Sequence, residues 1–123
     1  MAKGKLIADE IEHSSVGSLN TQFVVRGSAK AWANCTNAAV LNESFNCTTG
    51  TDHGTGDYSV TLTNAFSGIR YVTTAIARGN GAGFIVTRNP ARDETTALAI
   101  EIDNDASTQS DSAFEVIGHG DLA

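Results

Sequence analysis

The chain is poor in proline, with a single residue, and in large aromatics, with one tryptophan and two tyrosines. It is also short of positive charge, with 8 basic residues against 14 acidic ones. Each shortage excludes something. One proline beside 12 glycines is neither a disordered nor a collagen-like composition. A formal net charge of -6 repels phosphates, so no nucleic-acid partner is expected. No run approaches about 18 apolar residues, so no membrane partner is expected either. The opening MAKGKLIADEIEHSS lacks the apolar core of a signal peptide, which leads us to expect assembly in a cytoplasm. The two cysteines, Cys35 and Cys47, are too few for a zinc site, and the three histidines lie far apart in sequence. The pair is either a disulfide, if the fold brings it together, or two small buried residues. The sequons at Asn34, Asn42 and Asn46 read as by-products of an Asn/Thr-rich β sequence.

What is present is alternation. Hydrophobic residues make up 41% of 123, enough for the core of one domain. Tyr58, Val60 and Leu62 point one way, and Ser59, Thr61 and Thr63 the other, the period of a half-buried strand. From Ile69 to Ala77, Val72, Thr74 and Ile76 oppose Tyr71, Thr73 and Ala75. Both faces are apolar enough for a central or an interface strand. Further strands are expected at 84–87, at 98–103 and at 113–117. They recur every ~8–12 residues, the spacing of a sandwich or barrel. Turn chemistry separates them at Gly54-Thr55-Gly56-Asp57, at 79–83 and at 104–111. No helix is expected, beyond at most one turn at 38–41. Residues 1–19 scatter apolar side chains without turn rhythm. They read as an extended arm whose attachment residues are Leu6, Ile7, Ile11, Val16 and Leu19.

The ordered segments GSAKAWANCT, ESFNCTTGTDHGTGDYSVTLT, VTTAIA and DSAFEVIGHG resemble a domain found at the C-termini of tailed-bacteriophage tail-fibre and virion-structural proteins. The resemblance spans roughly residues 5–118. His53 stands where that family usually has Asn, and residues 118–123 extend past its usual end. The resemblance implies an all-β, antiparallel, jelly-roll-like β-sandwich knob, residues 20–123, behind the arm of 1–19. It also implies a homotrimer in the virion, seated on capsid or tail proteins through the arm. Head and tail locations stay open. Trp32 is then a core residue, as tryptophan's average burial favours, or, if exposed, an interface anchor.

Catalytic chemistry finds little support. His53 lies near Asp52 and Asp57, but no nucleophile motif accompanies it, and no catalytic residue is expected. Asp103, Asp105 and Asp111 imitate part of a calcium loop without its glycine and its closing glutamate, so neither a metal nor a cofactor is expected. Arg78, Asn80, Arg88 and Arg92 flank the loops where contact with host-surface glycans would occur, together with those acidic residues. The alternative function is a monomeric carbohydrate-binding module using the same loops.

Overall fold

The computed structural model describes residues 8–14, 17–79, 85–92, 94–104 and 107–123. Of the residues singled out above, Leu6, Ile7, Val16, Asn80 and Asp105 lie outside the described set.

Ten strands, one α-helix and a single 3-10 turn at Pro90–Arg92 are described. Two form an N-terminal hairpin, β1 (Glu10–His13) and β2 (Gly17–Asn20), paired antiparallel. The helix α1 (Thr21–Gly27) follows at once. Where an extended arm was expected over 1–19 there is a hairpin, and where 20–123 was expected to be all-β there is a helix at its start. The start of α1 is specified locally: the Asn20 side chain accepts the Gln22 N–H at 3.0 Å, and the Thr21 hydroxyl donates to the Ala8 carbonyl at 2.8 Å. Arg26 in the last turn suits the negative end of the helix dipole. Seven residues cannot display a 3.6 period over several turns, which is why the sequence concealed it.

The other eight strands form the β-sandwich. One sheet has the order β4 (Leu41–Phe45), β3 (Ala31–Cys35), β10 (Ala113–His119), β7 (Val72–Arg78). The second has the order β5 (Cys47–Gly54), β6 (Asp57–Leu62), β9 (Ala97–Asp103), β8 (Ile85–Arg88). Every pairing is antiparallel. Most of the expected strands are present. Gly54, read above as the start of a turn, instead closes β5, whose residues 47–53 the alternation did not single out as a strand. Residues 38–41 do not make a helical turn. They belong to a loop closed by Thr36, whose hydroxyl accepts the Val40 N–H, and pass into β4 at Leu41.

Inward residues of both sheets make one core. Tyr58, Val60, Leu98, Ile100 and Ile102 face Cys35, Phe114 and Val116. At one end, Tyr58 packs tilted against Phe114 with ring centres 4.9 Å apart, and its single hydroxyl proton is shared between two acceptors, the Asn37 carbonyl and Asp111, each at 3.0 Å. At the other end, Tyr71 stacks on Phe66 at 4.6 Å and donates to the Ala97 carbonyl at 2.7 Å. The disulfide alternative fails: Cys35 and Cys47 are free thiols. Burial pushes each thiol up to about 11, so both are protonated at neutral pH.

Candidate functional site

The two outer faces of the sandwich are chemically opposite. On the β4-β3-β10-β7 sheet, the register aligns Phe45, Trp32, Ile117 and Thr74 in one row across all four strands. Val72 and Ile76 extend the row along β7. Their exposures are 55% for Phe45, 38% for Trp32, 40% for Ile117, 63% for Val72 and 60% for Ile76. Trp32 is therefore not a core residue, which overturns the leaning drawn from tryptophan's average burial. Strand parity decides it: Ala31, Ala33 and Cys35 of β3 are buried, so Trp32 and Asn34 face out.

A polar row lies beside the apolar one. Asn34 is its hub, donating to Glu115 at 3.0 Å and accepting from Asn42 at 2.9 Å and from Arg78 at 2.8 Å. Arg78 also pairs with Glu115 at 3.5 Å. A depression of about 220 Å³ sits between the rows, against Trp32, Glu43, Glu115 and Ile117.

The outer face of the other sheet is polar. The β5–β6 register shifts between Asp52 and Gly54, leaving His53 as the extra residue of a bulge. Bulges re-aim side chains. Here the His53 ring lies over the strand, with Nε2 2.8 Å from the Ser59 hydroxyl. The segment 89–92 folds back over this face and is clamped there by Asp57. The Asp57 carboxylate accepts Arg92 Nε at 3.0 and 2.9 Å, pairs with a terminal nitrogen of Arg92 at 2.8 Å, and accepts from Asn89 at 3.0 Å. Between the clamped segment and the sheet lies a cleft of about 350 Å³. Thr51, His53, Ser59, Thr61 and Thr96 line it, together with Arg92 and Glu94.

The Arg92 hydrogen bonds hold the Asp57 carboxyl below the usual carboxylate range. A depressed native pKa contributes stability that is complete above the unfolded value, about 3.9, and is lost as pH falls through the native value. Asp57→Asn should therefore be less stable than the parent at pH 7, with the gap closing under acid. Urea midpoints of both proteins at neutral and acid pH measure this. A gap that does not change with pH would refute the clamp's electrostatic part.

The Ser59–His53 pair has the spacing of a nucleophile and its base, but the rest of that machinery is lacking among the described residues. The nearby Asp52 carboxylate accepts the Gly54 N–H, and Asp57 is engaged by Arg92 and Asn89. Ser59 sits mid-strand in β6, which is paired on both edges, so no backbone N–H pair is free beside it as an oxyanion hole. The arrangement orients a hydroxyl.

The loop residues expected to act together are dispersed. Arg88 lies over the Tyr71 ring at 4.2 Å and donates to the Tyr71 and Ile69 carbonyls at 2.9 and 2.6 Å, so it braces one end of the sandwich. Asp111 accepts from the Gly56 N–H at 2.9 Å and from Tyr58, so it anchors the opposite end. Asp103 closes β9. Arg78 belongs to the outer face of the other sheet, and among the described loop residues Arg92 alone reaches the cleft. Of the attachment residues within the described set, Ile11 and Leu19 are exposed on the hairpin. No three His, Cys, Asp or Glu side chains gather to hold a metal among the described residues. None of the described helices is long and apolar enough to cross a membrane.

Sequence reasoning missed the His53–Ser59 pair and the Asp57 clamp. Half of the signal was visible, since the alternation already put Ser59 and Thr61 on the outward face. The missing half was that 47–54 is a strand folded back on β6. Compared with family models, curated proteins and solved structures, the chain matches none.

Proposed function

We propose that this chain is a non-enzymatic structural protein of a tailed-phage virion, a β-sandwich knob that assembles as a trimer and contributes to particle decoration and host-surface adhesion. The observation that carries the assembly half is the apolar row Phe45–Trp32–Ile117 with Val72 and Ile76, on a face that should be polar in a monomer. Soluble monomers rarely expose a continuous apolar patch of this kind, and such patches mark interfaces. The free edge of β7 adds unpaired backbone groups at the same border. A trimer that turns these faces toward a common axis buries both liabilities at once. The ordered resemblance described above supports the virion setting.

The N-terminal element supports a second contact. Helix α1 buries no residue and exposes Phe23, Val24 and Val25. A helix of seven residues is marginal in water unless something packs on it. In this reading the partner is a neighbouring virion protein or a sister chain.

Light scattering on the full chain, with gold labelling of the phage particles that carry it, tests the proposal. The expected mass is three times the 12.8 kDa of one chain, with gold on the particle surface. A 12.8 kDa species at every concentration would sink the trimer, and unlabelled particles would sink the virion setting.

A further inference from the structure

The cleft above Ser59 has no part in assembly through the apolar face. We propose that it binds a neutral, hydroxyl-rich ligand of monosaccharide size, one unit of a saccharide chain. Its size comes first: about 350 Å³ lies near the small end of ligand sites.

The lining chemistry is more selective. Thr51, Ser59, Thr61 and Thr96 present four hydroxyls, each able to donate and to accept. The His53 ring fixes one of them, the Ser59 hydroxyl, at 2.8 Å, and Glu94 accepts from another, Thr96, at 3.1 Å. A ligand with acceptors alone would leave donors unmatched, and one with donors alone would leave acceptors unmatched. Sugar hydroxyls do both. Ala91 and Ala97 supply small apolar ground beside these groups, where the C–H face of a sugar ring can lie.

Charge decides between a neutral ligand and an anion. Among the described lining residues Arg92 is the permanent cation, beside the titratable His53 ring that is held on Ser59, and its guanidinium is engaged by the Asp57 carboxylate. Glu94 faces the same space uncompensated by that pair. A phosphate or carboxylate entering here would meet a spent positive charge and an acceptor of its own sign. The wall is also held in place before any ligand arrives, because Asp57 fixes both Asn89 and Arg92. Such preorganisation lowers the cost of binding.

The biological source of this ligand, the host surface, rests on the function proposed above; the binding itself does not. The test is an amide-detected NMR titration of the full chain with the methyl glycosides of glucose, galactose, mannose and N-acetylglucosamine, and separately with inorganic phosphate. At least one glycoside should shift the amides of Thr51, His53, Ser59 and Thr96, with Kd of about 1–10 mM, ordinary for a single weak site. The double variant Ser59→Ala, Thr61→Val should weaken binding at least about tenfold while leaving distant amides in place. The proposal is overturned if no glycoside moves those amides, if phosphate moves them more than any sugar, or if the double variant binds unchanged. A trimer that binds no sugar defeats the cleft alone, and a monomer that binds sugar defeats the assembly reading alone.

Discussion

Gly56→Ala should destabilise the sandwich by more than about 3 kcal/mol, read as a large drop in urea midpoint. Gly56 has φ +70°, a region that costs side-chain-bearing residues strain. Its surroundings leave no room either. A Cβ there would lie 2.4 Å from the Ile102 carbonyl oxygen and 2.9 Å from the Ser110 nitrogen. Those two atoms are hydrogen-bonded to each other at 3.0 Å, and the Ile102 N–H bonds the Gly56 carbonyl at 2.8 Å. The added methyl would force apart backbone that no side-chain rotation can relieve. Gly54→Ala is the control. Its φ of +137° is also strained, but nothing lies within 4 Å of the new carbon. It should cost only the strain, roughly 1–3 kcal/mol. If Gly56→Ala costs no more than Gly54→Ala, the corner yields and the packing argument fails.

Ile76→Lys should reduce the proposed trimer to single chains while leaving each chain folded. Ile76 is exposed on the β7 edge strand, and its cross-strand neighbour is Glu115. In a free chain the new ammonium faces a carboxylate directly opposite, a pairing that sheets tolerate or favour by roughly 0.2–1 kcal/mol. In an apolar interface the same charge loses its water. The ammonium and the Glu115 carboxylate opposite it would both be desolvated there, and several kcal/mol per ion, with about 1.4 kcal/mol for each tenfold, implies a loss of association of about a thousandfold or more. Sedimentation and thermal melting separate the two effects. A variant that keeps the trimeric mass would show that this face is not where the chains meet.

The strands were legible because their chemistry is local. Tyr58, Val60 and Leu62 alternate with Ser59 and Thr61, and no partner strand need be known to read that. The side of Trp32 was legible in principle from Ala31, Ala33 and Cys35, yet small residues around one large one do not announce which face is the core. The core of this sandwich is built under β3 by alanines and a cysteine, with bulk supplied across the gap by Tyr58, Leu98 and Ile100. The cleft was not legible. It depends on a bulge at His53 and on a pairing of Asp57 with Arg92, 35 residues away. The scattered arginines illustrate the same limit. Their sequence neighbourhood suggested one shared site, but Arg88 is spent on Tyr71 and Arg92 on Asp57.

The pairing of β3 with β10 has a consequence for synthesis. Asn34 and Glu115, hydrogen-bonded neighbours in the sheet, are 81 residues apart in the chain. At about 5–20 residues per second, the first sandwich strand waits on the order of ten seconds for the strand that covers it. Topologies dominated by such distant pairings also fold slowly. During that wait, the edge of β3 that β10 will occupy has no partner. A ribosome that stops before β10 releases a chain with β7 severed from β3, and so without the surface on which copies would meet. In the proposed assembly, synthesis of β10 is thus a checkpoint: until that strand is in place, the four-stranded face on which copies would meet does not exist.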